Sequence, residues 1–173
     1  MPVSDVKSRL WGTLSAYGLA IALGVILVDQ ANKWWLIAGY GIGERGRVAL
    51  TPFLDLVYVK NTGISYGLFS SSGLAGQFVL VLFAAVVALG LMVWLSRVET
   101  RRLAAAIGLV VGGALANAID RLVIGGVADF YSLHAFGFYW YIFNLADVAI
   151  VAGAALLLYD SLWPSRKKVS NGA

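Results

Sequence analysis

The sequence predicts an all-α membrane protein of four transmembrane helices, with a small β element in the first outer loop at the membrane surface. Three observations predict it. Of 173 residues, 60% are hydrophobic and only 13% are charged, against about 25% charged in an ordinary soluble domain. Four apolar stretches of roughly 17–22 residues lie between charged positions, each long enough at ~1.5 Å rise per residue to cross a ~30 Å hydrocarbon layer. Basic residues cluster at alternate connections. A chain this short cannot hide so much apolar surface in a water-soluble core, and its aromatic and aliphatic content excludes disorder. With no Cys and a single His, disulfides, thiolate metal sites and paired-imidazole zinc chemistry are also excluded. The formal charge of +4 reads as membrane topology, not as a nucleic-acid partner.

The spans fall at about 10–28, 74–95, 103–119 and 139–159, in one integral domain covering 1–173 with a polar cytoplasmic tail at 163–173. The first follows Lys7 and Arg9. It is longer than the ~7–15 apolar residues of a secretory signal and has no clean cleavage pattern, so it is read as a retained helix. Arg97, Arg101 and Arg102 lie between the second and third spans, and Arg166, Lys167 and Lys168 follow the fourth. Four crossings put all these clusters on one side, and short basic segments stay cytoplasmic, so both termini are placed inside. Lys33, Arg45, Arg47 and Lys60 fall in the first outer loop, 30–73. That loop is long enough to fold by itself. Residues 50–59 are β-branched and aromatic, Asn61-Thr62-Gly63 offers a turn, and 64–69 is apolar again, which predicts a strand pair. In the second outer segment, Tyr139, Trp140 and Tyr141 form an interfacial belt at the start of the fourth span.

This topology brings Asp29, Asp120, Asp129 and Asp147 toward one leaflet. Asp147 falls about eight residues into the fourth span, roughly 12 Å along the helix, and a carboxylate in hydrocarbon costs at least about 2.5–3.5 kcal/mol. A packing ion pair with Arg121 or Lys33 is one reason for it; chemistry is the other. Asn144 and Asp147 share a helix face, as do Asn117 and Asp120. Ala104, Gly108, Gly112 and Ala116 recur every fourth residue, a small-residue seam for a neighbouring helix, and Gly113, Asn117 and Arg121 line its edge. Two carboxylates at one site cannot both ionise cheaply; one keeps a proton and the pair titrates as a unit. The ionised member can activate water while the other donates to a carbonyl oxygen, which is peptide hydrolysis without a covalent intermediate. Asp120 is followed by Arg121, and Asp29 has Lys33 four residues on, a favourable ion pair if the helix continues. Asp129 and Asp147 are the least neutralised and the better acid–base candidates.

At these residues the sequence closely resembles the bacterial lipoprotein signal peptidases (signal peptidase II), four-span membrane aspartic proteases. The boxes are Asp29-Gln30-x-x-Lys33, Asn61-x-Gly63, Gly112-Gly113-x-x-x-Asn117-x-x-Asp120-Arg121, Gly126-x-x-Asp129-Phe130 and Phe143-Asn144-x-Ala146-Asp147. They occur in the family's order over roughly residues 25–150. The resemblance implies that Asp129 and Asp147 are the catalytic pair. It implies that Asp29, Lys33, Asn61, Gly63, Gly113, Asn117, Asp120, Arg121 and Asn144 shape or support the substrate pocket. Ile64-Ser65-Tyr66 and Val148 depart from the family pattern and bear on pocket shape. The implied substrate is a prolipoprotein whose Cys carries a diacylglyceryl thioether, cut just before that Cys in the outer leaflet of the bacterial inner membrane. The implied partners are that substrate and membrane lipid, with no nucleic acid, no metal, no organic cofactor and a monomeric enzyme.

Two rivals have weaker support. A Ser–Lys protease using Lys60 and Ser65 needs a desolvated lysine, and nothing else in the sequence supports one. A proton-coupled carrier using Asp120 and Asp147 would place polar groups on both sides of the midplane, whereas the inner halves of the four spans are almost purely apolar. His134 is read as an interfacial loop residue.

Overall fold

The computed structural model describes residues 11–63 and 73–163. The basic clusters Lys7/Arg9 and Arg166/Lys167/Lys168, the 64–69 segment and Ser65 lie outside them. Four helices are long and apolar enough to cross a membrane: α1 (Ser15–Trp34), α2 (Leu74–Leu95), α3 (Arg101–Ile124) and α4 (Leu145–Leu162). A π-helical turn, Trp35–Gly39, extends α1, and a single turn, Ile42–Arg45, follows it. Four strands, β1 (Val48–Thr51), β2 (Leu54–Asn61), β3 (Val127–Ala135) and β4 (Phe138–Phe143), form one antiparallel sheet in the order β1-β2-β3-β4.

α3 is the central helix and packs against the other three. Lipid tails are as apolar as leucine, so helices in a bilayer associate through close backbone approach instead of hydrophobic burial. The small-residue seam supplies that approach. A side chain at Gly108 would collide with the Gly18 carbonyl oxygen of α1, and one at Gly112 would come within 2.6 Å of the Ala22 oxygen. Ala104 and Ala116, on the same stripe, are fully buried. Against α4 the contacts shift by one row: Gly113 meets the Ala146 carbonyl, and Gly153 meets that of Ala106. Large apolar side chains such as Val79, Leu82 and Val86 on α2 point outward. At the end away from the sheet, Arg102 at the start of α3 pairs with Asp160 near the end of α4 at 2.5 Å.

The two segments that build the sheet join α1 to α2 and α3 to α4, so the sheet sits at one end of the bundle. Leu36, Ile42, Leu56, Ala128 and Phe130 form a small core that fastens it to the end of α1. Register shifts in all three strand pairs bend the sheet, as bulges do.

Several sequence expectations are corrected. α1 does not end at residue 28 but runs through Asp29 and Lys33 to Trp34, because the two charges neutralise each other across one turn. α3 extends beyond 103–119 at both ends; Thr100 caps its start by accepting from the Leu103 amide, and Gly125, at φ +66°, closes it. The fourth span begins at 145, not 139. Residues 138–143 are aromatic and β-branched, types that suit a strand, and apolarity alone cannot tell such a strand from a helix. Asp147 therefore lies in the first turn of α4 and not ~12 Å along it. The hairpin of the first loop turns at Pro52 and Phe53, so β2 pairs with β1 before it and β3 beyond it. The sheet thus draws on both loops, and His134 lies in a strand, stacked on Tyr139.

The seam carries a prediction. Gly108→Leu should lower the thermal unfolding temperature in detergent, by the equivalent of roughly 1–3 kcal/mol. Gly90→Leu, where an added Cβ meets nothing within 4 Å, should leave it unchanged; equal effects would contradict the packing account.

Candidate active site

Where the ends of α1, α3 and α4 converge, Lys33 is buried between two carboxylates. Its Nζ lies 2.7 Å from Asp29 Oδ2 and 2.7 Å from Asp120 Oδ2, and it donates to Asn117 Oδ1 at 3.2 Å. One ammonium faces two carboxylates, so the remaining negative charge needs donors. Asp29 Oδ1 accepts the backbone N–H of Ala146 in the first turn of α4 at 2.9 Å, where the helix macrodipole also favours an anion. Asp120 accepts from the Ala128 amide at 3.0 Å and from Gln30 Nε2 at 2.8 Å. The expected Asp120–Arg121 pairing does not form, since consecutive helical residues point to different faces. Arg121 instead donates to the carbonyls of Asn117 (3.2 Å) and Gly63 (3.1 Å).

Asn144 links this cluster to the other two aspartates. It is the N-cap of α4: its side chain accepts from the Asp147 amide at 2.9 Å, and Asp147 Oδ2 accepts from the Asn144 amide at 3.2 Å, a reciprocal capping box. Its Nδ2 donates to Asp129 Oδ1 at 2.7 Å and to Asn117 Oδ1 at 3.1 Å. Asn117 Nδ2 then donates to Asp147 Oδ1 at 2.9 Å. Asp129, on β3, receives its second bond from Asn61 Nδ2 on β2 at 3.1 Å, and Asn61 Oδ1 accepts the Gly63 amide at 3.0 Å. The structure thus joins Asp129 and Asp147, from different elements, through one asparagine.

Both carboxylates line a cavity of about 680 Å³. Leu80 and Phe83 of α2 and Ile150 of α4 give it apolar walls, and Asn61, Asn117 and Arg121 make its polar end. Among the described residues neither Asp129 nor Asp147 has a cation within 4 Å. Burial, reinforced by the charge of Asp147, pushes the Asp129 carboxyl up to about 6, against the pull of its bonds from Asn61 and Asn144 and of the Lys33 charge. A carboxyl in that range keeps a proton under mildly acidic conditions and can exchange it, as acid–base catalysis requires.

All eleven site residues predicted from sequence fall in or against this network. Gly113 does so through shape, seating the first turn of α4 against α3. Lys60 also lines the cavity, on β2. Sequence reading missed Gln30 as a ligand of Asp120, although it stands inside the first box. It also missed the amides of Ala128 and Ala146, which leave no mark in side-chain patterns. The Asn144-x-x-Asp147 spacing was the signal for the capping box.

A bundle of four membrane-crossing helices with paired carboxylates in a cavity at one end has the form of a multi-pass membrane enzyme. The family model described as Signal peptidase (SPase) II matches residues 21–163. The chain is 49% identical over 155 residues to the lipoprotein signal peptidase of Methylocella silvestris, covering 90% of this chain and 91% of that one. It is 51% identical over 144 residues to that of Beijerinckia indica, covering 83% and 86%. Its fold is similar to a bacterial membrane enzyme solved by the in meso method at 2.3 Å, with a TM-score of 0.73, 27% identity and coverage of 89% and 94%. The chain belongs to the signal peptidase II family, which makes it a membrane peptidase of the bacterial inner membrane.

The shared ammonium sets a prediction for the site. Lys33→Met leaves Asp29 and Asp120 buried without their cation and should cost about 3–5 kcal/mol, read as a large drop in unfolding temperature. An unchanged temperature would contradict the role given to Lys33.

Proposed function

We propose that the chain is an aspartic endopeptidase that removes signal peptides from prolipoproteins whose Cys carries a diacylglyceryl group, cutting just before that Cys. Asp129 and Asp147 are its acid–base pair. The observation that carries this reading is the bridge through Asn144, which holds the two carboxylates at one cavity with no cation on either among the described residues. The names of the relatives supply the substrate class. The lipidated Cys is the feature that would keep such a substrate in the membrane beside the cavity.

In the proposed reaction, the pair holds one proton. The ionised carboxylate takes a proton from a water molecule, and the resulting hydroxide attacks the carbonyl carbon of the residue before the Cys. The protonated carboxyl donates to the carbonyl oxygen, giving a neutral tetrahedral gem-diol. When the C–N bond breaks, the proton taken from water passes to the departing amine, the second returns to the pair, and the released signal peptide ends in a carboxyl group. Asn61, Asn117, Asn144 and Arg121 hold the pair or donate to the peptide backbone. The apolar walls accept side chains of the signal peptide and the acyl chains.

The proposed orientation puts the sheet and cavity at the outer leaflet and both termini in the cytoplasm, following the positive-inside rule. Arg97, Arg101 and Arg102 at the opposite end of the bundle agree with it.

The test uses purified enzyme in detergent and a diacylglyceryl-modified prolipoprotein. Asp129→Asn and Asp147→Asn should each lower turnover by at least about 10³-fold, a loss on the scale seen for residues that act as one catalytic unit, with unfolding still cooperative. Turnover within tenfold of the parent in either variant would remove that residue from the pair. Proton movement across vesicles with no cleavage would favour the carrier reading.

A further inference from the structure

The two ends of the sheet differ in chemistry. One end, with Asn61 and Asp129, faces the cavity. At the other end two hairpin turns lie side by side: Pro52-Phe53 between β1 and β2, and Phe136-Gly137 between β3 and β4. The pairing of Leu54 with Leu133, and a backbone bond from the His134 amide to the Phe53 carbonyl at 2.9 Å, set these turns together. Both tips are apolar and open. Phe53 is 61% exposed, Phe136 is fully exposed, and Phe138 and Trp140 are 63% and 55% exposed. Phe138 and Trp140 meet edge to face at 5.5 Å. Phe136 also holds a left-handed backbone at φ +52°, a conformation uncommon for a bulky residue.

We infer that the twin tips are an anchor seated in the headgroup–acyl boundary of the same membrane that the helices cross. The exposed surface leads there: Trp34 and Trp35 at the end of α1, and Leu122 and Val123 near the end of α3, are exposed at the end of the bundle that carries the sheet. Phe and Trp presented this way match the preference of large aromatic rings for membrane interfaces. Arg47 is half-exposed, lies over the Tyr139 ring at 5.3 Å and pairs with Asp55 at 2.8 Å, so a cation stands beside the tip for lipid phosphates. The bilayer, and not a bound peptide, is the occupant because of distance. Phe136, in the turn after β3, lies seven positions beyond Asp129, about 23 Å of extended chain, so a peptide bond cleaved at the cavity lies far from the tip. The consequence is mechanical. A sheet fixed to the bundle at one end and to lipid at the other holds Asp129, on β3, at constant depth beside Asp147, on α4.

The absence of Cys makes the test clean. Phe136→Cys and, separately, Phe53→Cys are labelled with a polarity-sensitive fluorophore and reconstituted into phosphatidylethanolamine–phosphatidylglycerol nanodiscs, some carrying lipids spin-labelled near the acyl carbonyls. The expected result at both positions is blue-shifted emission relative to the free thiol adduct in buffer, with quenching by the spin-labelled lipid of at least about twofold. Water-like emission without quenching at both positions overturns the anchor. So does quenching that appears only after a lipid-modified peptide is added, which would make the tip a substrate clamp. Energy transfer between labelled copies in place of lipid quenching would make it a contact between two chains and equally overturn the proposal. The paired positions guard against failure of one variant to fold, since neighbouring tips must report the same environment.

Discussion

One buried ammonium, that of Lys33, holds the end of the bundle together. It comes from α1 and is shared by Asp29 of α1 and Asp120 of α3, and it also reaches Asn117. Taking such charges out of water costs several kcal/mol each before they meet, so the cluster forms only where helices already approach closely. The glycine seam provides that approach. The two features require each other: the seam brings α1 onto α3, and the ion cluster fixes the depth at which they lock. Through the Ala146 amide, Asp29 carries the same register into α4.

The second carboxylate pair inherits its geometry from this frame. Asn117 stands between the two sets, accepting from Lys33 and Asn144 and donating to Asp147. Asn144 is at once a helix cap and the donor to Asp129. The fold's need to start α4 and the site's need to hold two acids are therefore met by one side chain. Two aspartates share one lysine ammonium, and two stand apart from cations among the described residues and are held by amides. That division of labour separates structural carboxylates from proposed catalytic ones more sharply than burial does, because Asp129 is as buried as Asp29 and Asp120.

The sequence made the four spans legible because membrane helices announce themselves by length and apolarity. It blurred their ends wherever a charge lay inside a helix or an apolar run was a strand. Asp29 and Asp120 bound the predicted spans; in the fold they are internal, because Lys33 compensates Asp29 within the same helix and reaches Asp120 from across the seam. Residues 139–143 read as the start of a span, since aromatic and β-branched residues satisfy both patterns, and they belong to β4. The expected separation of Asp29 and Asp120 from Asp129 and Asp147 rested partly on Arg121 neutralising Asp120. The arginine's true partners are backbone carbonyls, and Lys33, expected to pair with Asp29 or with Asp147, is the cation that Asp120 shares. The strand carrying Asp129 was not anticipated at all. Its residues read as a loop, and pairing with a strand some 70 positions earlier has no local signal.

The claim at the centre of this account is that Asp129 and Asp147 hold a proton between them. Infrared spectroscopy on aspartate-labelled protein measures it directly through the protonated carboxyl stretch. With the Asp129 carboxyl raised to about 6, a protonated band should persist at pH 5 to 6, well above the ordinary carboxylate range of about 4, and disappear as pH rises further. Asp147→Asn removes a neighbouring negative charge and should move that disappearance to lower pH. No protonated band at pH 5 to 6, or a titration that Asp147→Asn leaves in place, would contradict the shared proton.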